Sequence, residues 1–195
     1  MRIILALSLL LPAAAVAAET SKPRFLLAPK LGLFEPTSRL SGALFLGAEA
    51  GYLTPAMDDH LAVVLELDWV RPRASGSIAD PRLSSGGDYS LGNAMVGILL
   101  SAVYRLGEIN RFTPYFGMGP ALYFHRTVTT AFGSTYTETE GRLGLQFVGG
   151  TEIALGPGAA FGEIRYQFAR VDFLSTGNAN VGGFLALGVG YRIRL

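Results

Sequence analysis

Few side chains in this sequence are equipped for covalent or acid–base chemistry. There is no cysteine, so neither a thiolate nucleophile nor a disulfide is available. The histidines are His60 and His125. A Ser–His–acid arrangement needs its three groups within hydrogen-bond reach, and the run His125-Arg126-Thr127-Val128 offers no spacing that suggests one. Asp58-Asp59-His60 sets two carboxylates beside an imidazole, but at a turn, where a solvated cluster is expected rather than a ligand set. Two histidines without cysteine make a poor zinc site. The pairs Gly117/Gly119 and Gly188/Gly190 precede no helix, so they lack the setting in which glycines cradle phosphate. No enzymatic activity, metal or cofactor is expected. The formal net charge of +1 gives no basis for a nucleic-acid partner.

What the chain does hold is a set of ionic residues embedded in apolar stretches. Lys30, Glu49, Glu66, Asp68, Arg105, Glu163, Arg165 and Arg192 stand out, each flanked by apolar or small neighbours. With Arg142, Glu152 and Arg194, which share their face, they make six positive and five negative charges, which nearly cancel. Charges shut away from water must be paired or they cost several kcal/mol each, so an ion-pair network is the expected arrangement. The alternative chemistry for such a set is an ion path or gate, as charge rings provide in pores.

The elements that position these residues follow from the pattern around them. Mean hydropathy is +0.36 and only 16% of residues are charged, against about 25% in ordinary soluble domains. Yet past the first residues no apolar run approaches the ~18 residues of a membrane-spanning helix. A hydrophobic chain without long hydrophobic runs distributes its apolar residues by alternation, and here period two dominates. The spacing predicts eight strands over 24–35, 42–53, 60–71, 91–106, 113–126, 142–155, 160–171 and 182–195. Every second residue is apolar and uncharged, as in Phe25, Leu27, Pro29, Leu31, Leu33, in Leu61, Val63, Leu65, Leu67, Trp69, and in Leu185, Leu187, Val189, Tyr191, Ile193, Leu195. The other face carries the ionic residues, spaced by Gly32, Gly47, Gly97, Gly117, Gly119, Gly144, Gly188 and Gly190.

Volume decides which face looks outward. An eight-stranded barrel is just wide enough inside for its own side chains, and most of the apolar set is large. The glycine-rich ionic face suits a crowded lumen, and the apolar face suits lipid. The fold class expected is all-β: an eight-stranded antiparallel up-and-down transmembrane β-barrel, closed so that no backbone group is left unpaired in lipid. Tyr52, Trp69, Tyr104, Phe124, Phe168 and Tyr191 fall near strand ends, where interfacial girdles belong.

The connections alternate. The turns around 54–59, 107–112 and 156–158 are short, whereas 72–90, 127–141 and 172–181 are longer and polar; 36–41 is brief. Short inner turns, longer outer loops and both termini inside fit such a barrel. The stretches Arg73 to Asp88 and Val128 to Gly141 are therefore read as outer loops, where recognition would sit. Arg71, Arg73 and Arg82 could contact lipopolysaccharide phosphates, since guanidinium pairs well with phosphate. At the N-terminus, Arg2, the apolar run Ile3 to Leu11 and the small residues Ala15-Val16-Ala17-Ala18 read as a cleavable export signal. The division expected is 1–18 signal peptide and 19–195 barrel.

Two segments carry a family likeness. Arg111-Phe112-Thr113-Pro114-Tyr115-Phe116-Gly117-Met118-Gly119-Pro120-Ala121, after Tyr104-Arg105-Leu106, resembles the fifth-strand region of small barrels of the OmpA/OmpX/opacity-protein type. The ending, with Gly190, Tyr191, Ile193 and Leu195, is similar to the C-terminal signal read by the barrel-assembly machinery, with Leu195 where that family usually has Phe. The resemblance implies residence in an outer membrane, contact with its lipid and lipopolysaccharide, periplasmic chaperones and the assembly machinery as partners, and a monomer. No peptidoglycan-binding domain is expected after the barrel. Small barrels that deacylate lipid A use a Ser–His pair in a His-x-Ser-Asn arrangement, which His125 lacks. The expected role is structural or surface-exposed, including adhesion; a narrow passive channel for small solutes or hydrophobic compounds is the alternative, and a lipid-A-modifying enzyme the remotest.

Overall fold

In the computed structural model, which describes residues 24–37, 40–78, 87–169 and 183–195, the alternation becomes nine strands. They are β1 (Phe25–Pro36), β2 (Ala43–Leu53), β3 (Leu61–Val70), β4 (Arg73–Ile78), β5 (Gly87–Arg105), β6 (Phe112–Ala131), β7 (Ser134–Leu155), β8 (Gly158–Phe168) and β9 (Phe184–Arg194). All pairings are antiparallel. The order runs β3-β2-β1-β9-β8-β7-β6-β5-β4, and an added β3–β5 pairing closes a barrel of eight strands. Closure matters because a backbone N–H or C=O left unpaired in lipid costs several kcal/mol.

Register fixes the tilt. Starting at Phe25 and stepping sideways through paired residues leads to Tyr52, Val63, Ala102, Met118, Phe147, Tyr166 and Leu185, and returns to β1 at Glu35 rather than Phe25. A closed sheet with such stagger has strands tilted by about 35–45° to its axis. Apart from Ala102, the residues met before Glu35 are bulky apolar or aromatic side chains, and the whole belt looks outward.

Burial alternates strictly along β1, from exposed Phe25 to buried Pro36, and almost as strictly along β3, β8 and β9. The exposed positions are the greasy ones: Leu33 at 60%, Leu44 at 69% and Leu143 at 80%. Exposed apolar area on this scale exceeds what a water-soluble monomer carries, and it forms the lipid-facing surface. The rings of Phe25 and Tyr52 pack at 5.2 Å, and those of Tyr104 and Phe116 at 5.7 Å, near the end that holds the chain termini. Trp69 and Phe124 stand near the opposite end of the lipid-facing belt.

The turns obey their local chemistry. At the termini-bearing end, Asn110 and Arg111 take positive φ in the β5–β6 connection, and Gly156 does so in the β7–β8 turn. Met57, Asp58 and Asp59 take positive φ in succession between β2 and β3. Leu195 N–H donates to the Phe25 carbonyl at 2.9 Å, tying the last residue to the first strand.

Two expectations change at the opposite end. The segment 127–141, expected as an outer loop, is strand: β6 and β7 stay paired up to Ala131↔Ser134, joined by a two-residue turn in which Phe132 and Gly133 both have positive φ. Thr127, Thr129, Thr130, Thr135, Thr137 and Thr139 explain it, because β-branched residues favour strand even where no lipid demands it. The segment 72–90, also expected as loop, contributes β4 and the start of β5. β4 is not a separate element in the ladder. Val70↔Met95 on β3 and Arg73↔Gly92 on β4 keep one register, and only the run of strand residues is interrupted, at Arg71-Pro72. Pro72 has no N–H to give, yet its carbonyl accepts from Asn93 N–H at 3.0 Å. β5, β6 and β7 have 19, 20 and 22 residues, about twice the 9–11 that span a bilayer. A sheet of four strands, β4 to β7, therefore rises past the membrane on one side of the barrel.

Candidate functional site

The interior of the barrel is where the ionic residues converge. Glu49 on β2 lies directly across from Glu66 on β3, an unfavourable pair by itself. Lys30 on β1 resolves it. Its ammonium lies 3.4 Å from Glu49, touches Glu66, and donates to Glu163 at 3.0 Å. Arg165 on β8 donates to Asp68 at 2.8 Å, contacts Glu66, and brings Nε within 3.1 Å of Glu163. Arg192 on β9 donates to Glu49 at 2.5 Å and to Glu152 at 3.3 Å. Arg105 and Arg194 both meet Glu152, Arg194 at 3.0 Å. The Tyr115 hydroxyl donates to Glu163 at 3.0 Å. Lys30, Glu49, Glu66, Asp68, Glu163, Arg165 and Arg192 are buried, and Arg105 is partly so.

The network is neutral: Lys30, Arg105, Arg165, Arg192 and Arg194 face Glu49, Glu66, Asp68, Glu152 and Glu163. Its planar cations also lie over rings. The Arg165 guanidinium is 4.8 Å from the Phe45 centroid, and that of Arg192 is 4.5 Å from Tyr115 and 4.2 Å from Phe161. For guanidinium groups as buried as these, such contacts replace part of the lost hydration.

Glycine makes the room. Lys30 is paired sideways with Gly47 and Gly190, Asp68 with Gly47 and Gly97, and Glu163 with Gly150 and Gly188. A Cβ on Gly190 would lie 2.6 Å from the Phe161 ring, and one on Gly47 would strike Asp68 and come within 3.1 Å of the Lys30 stem. Long ionic side chains can lie across the interior because their neighbours have none.

Above this layer, toward the tall sheet, the interior turns apolar. Phe34, Phe45, Leu91, Met95, Leu99, Tyr123 and Phe184 pack into one cluster, with Phe34 and Phe184 at 4.8 Å. Leu99 and Tyr123 are 0% exposed. The inward-facing set expected from sequence was ionic and small. Large inward residues such as Phe34, Phe45 and Leu99 sit at the same parity as Lys30, Glu49 and Ser101, and that parity is the signal by which they could have been found. Glu152 and Arg194, on the ionic face by parity, join the site as well, and Tyr115 and Phe161 join it without a sequence signal beyond that parity.

The histidines occupy separate places. The Asn93 amide donates to His125 Nδ1 at 3.3 Å, and Thr127 donates to the Asn93 carbonyl oxygen at 3.4 Å. His60 Nδ1 donates to the Arg105 carbonyl at 2.6 Å and its ring stacks on Tyr104. Asp59 lies 3.7 Å from Arg24. Among the described residues, no group of three or more His, Asp or Glu is arranged to hold a metal ion. At the C-terminus, Tyr191 donates to the Leu155 carbonyl at 2.6 Å, while Ile193 and Leu195 are exposed on the outer face and Gly190 turns inward. Of the arginines considered for phosphate contact, Arg71 and Arg73 are exposed on the outer face, and Arg82 lies outside the described residues.

A family model described as the outer membrane protein beta-barrel domain matches residues 3–192. No curated protein sequence matches the chain. Among solved structures, the chain is similar to a major outer membrane protein from Thermus thermophilus, at 14% identity and a TM-score of 0.65, covering 88% of this chain and 98% of that one. Also similar are the N-terminal β-barrel domain of Pseudomonas aeruginosa OprF, at 16% identity and a TM-score of 0.48, and the attachment invasion locus protein Ail of Yersinia pestis, at 14% and 0.49; each comparison covers 89% of this chain and 100% of the other.

Proposed function

The chain belongs to the outer-membrane protein β-barrel family, and from that premise we propose that it is a non-conducting, non-catalytic surface protein whose barrel is an anchor. Membership in the family implies an outer-membrane location. The observation that carries the reading is the filled lumen. Neutral ion pairs occupy one layer, with Lys30 and Arg165 almost wholly buried, and an apolar cluster around Phe45, Leu99 and Tyr123 occupies the next. A conducting path needs binding weak enough to release ions. Cations held by two or three carboxylates each do not meet that condition.

The tall sheet supports the surface role. β5 to β7 carry about ten residues each beyond what a bilayer needs, and strands are a costly way to make a loop unless a defined surface is wanted. Gly190, Tyr191, Ile193 and Leu195 serve in this reading as the signal for the barrel-assembly machinery, and residues 1–18 as the export signal.

Two measurements test it. Purified protein in planar bilayers is expected to give no steady unitary current; regular steps abolished by Glu66→Gln would make it a channel. Because the chain has no cysteine, Thr137→Cys and Gly107→Cys each create a unique label. A membrane-impermeant maleimide is expected to label the first in intact cells and the second after the envelope is opened. The reverse order would place the tall sheet inside.

A further inference from the structure

The outer face of the tall sheet changes character abruptly. Its last lipid-like row is Trp69, Val96 and Phe124, three residues side by side on β3, β5 and β6. One alternate step further from the membrane, Arg126 lies beside Ala94, with Arg71 on the far side of Ala94 in the register shared by β3 and β4. The next row has Arg73, Gly92 and Val128. All three arginines are exposed, and none has an ion-pair partner among the described residues. On this face the exposed Glu35 carboxylate lies over Gly42, next to Ser41, whose N–H donates to the Arg73 carbonyl at 2.8 Å, and Asp88 stands two rows beyond Arg73, opposite Ser77.

Two of the three arginines border a shallow pocket, and Arg126 stands beside it, one row below Val128. Arg71, Arg73, Ser90, Gly92, Val128 and Thr130 line a depression on the outside of the sheet. Its floor is open at Gly92, where a Cβ would meet nothing within 4 Å. Adjacent strands lie about 4.8 Å apart and alternate residues about 6.6 Å apart, so the Arg71 and Arg126 backbones are about 10 Å from each other and Arg73 stands one step above. Side chains of that length can converge on a single anion. Unpaired guanidinium groups immediately above an aromatic and apolar row sit at the depth of lipid headgroups, and guanidinium matches phosphate oxygens in pairs.

We propose that Arg71, Arg73 and Arg126 form a binding site for the phosphate groups of an anionic lipid in the outer leaflet, with its acyl chains along Trp69, Val96 and Phe124. The site rests on the reading that the tall sheet is outside. Its occupant is a headgroup rather than a soluble anion, because the arginines face the membrane's own surroundings and not the lumen. It adds Arg126, which neighbours no loop arginine in sequence and meets the pair through strand register.

The test uses the full chain refolded in neutral detergent. Thermal unfolding is followed by the shift in gel mobility on heating, with diphosphorylated lipid A, the same lipid stripped of phosphate, or inorganic phosphate added. Lipid A is expected to raise the unfolding temperature in a saturable way, and the other two additives to leave it unchanged. Arg71→Gln, Arg73→Gln and Arg126→Gln should each raise the half-saturating concentration of lipid A by roughly fivefold, the factor that corresponds to ~1 kcal/mol per basic side chain at an anionic surface. Their unfolding without lipid should match the parent, since the three side chains are exposed and unpaired. An unchanged response in the triple variant overturns the proposal, as does an equal response to phosphate-free lipid or to inorganic phosphate. The cysteine-labelling result stands apart from this one, so a misplaced sheet and a wrong lipid site are told apart.

Discussion

Removing Arg165 is the sharpest probe of the lumen. Its guanidinium is 1% exposed and answers three carboxylates, Glu66, Asp68 and Glu163. Glu66 and Glu163 keep Lys30 when it goes. Asp68 keeps no cation among the described residues, and one negative charge is left over in the sealed network. Deleting one partner of a buried ion pair costs about 3–5 kcal/mol, because the survivor is stranded. Arg165→Met, which keeps much of the volume over Phe45, is therefore expected to lower stability by about that amount, more than a hundredfold in the folded-to-unfolded ratio at about 1.4 kcal/mol per decade. Asp68→Asn alone strands Arg165 less, since Glu66 and Glu163 remain. The double variant Arg165→Met/Asp68→Asn restores neutrality and is expected to recover about 1–3 kcal/mol relative to the sum of the singles. Urea unfolding of protein refolded into lipid vesicles measures this. The single tryptophan, Trp69, is 47% exposed on the lipid-facing side and reports loss of the lipid environment by a red shift in emission. If Arg165→Met unfolds at the parental urea concentration, or if the two substitutions add without coupling, the network does not hold the barrel together.

Leu65 and Glu66 are sequence neighbours on opposite faces, at 51% and 5% exposure. Leu65→Arg is expected to cost ~2–4 kcal/mol by setting a charge against the middle of the bilayer, seen as a reduced yield of the heat-modifiable band on insertion into vesicles. Glu66→Ala is expected to insert at parental yield but to unfold at lower temperature; a swap of these two outcomes would mean the register is off by one residue. Phe132 holds φ at 52° in the β6–β7 turn, where asparagine or glycine is at ease. Phe132→Asn is expected to leave stability equal or higher by up to about 1 kcal/mol, and a clear loss in the same urea assay would show that the ring's contact with Gly87 outweighs the backbone strain.

Much of this fold is written locally. Because side chains alternate across a strand, Leu65 and Glu66 declare their faces to anyone reading two residues at a time. The same alternation marks Lys30, Glu49, Asp68 and Arg192 as sharing one face, and glycines such as Gly47 and Gly190 mark where that face is crowded. Where strands stop is less legible. The Thr-rich stretch 127–139 has the polarity of a loop and the branching of a strand, and pairing between β6 and β7 decides between them. Likewise Pro72 reads as the end of β3, although the ladder against β5 resumes at Arg73 in the same register.

The sequence by itself determined the period, the strand number of the barrel and the inward or outward sense of the ionic and lipid-facing residues within the strands it marks, because these depend on neighbours along the chain. The tertiary structure alone decided who meets whom. Glu152 gathers Arg105, Arg192 and Arg194, and Arg126 joins Arg71 across Ala94, through the stagger that carries the circuit from Phe25 round to Glu35. That stagger is a property of the closed sheet as a whole, set by hydrogen bonds between strands far apart in sequence, and no local pattern encodes it.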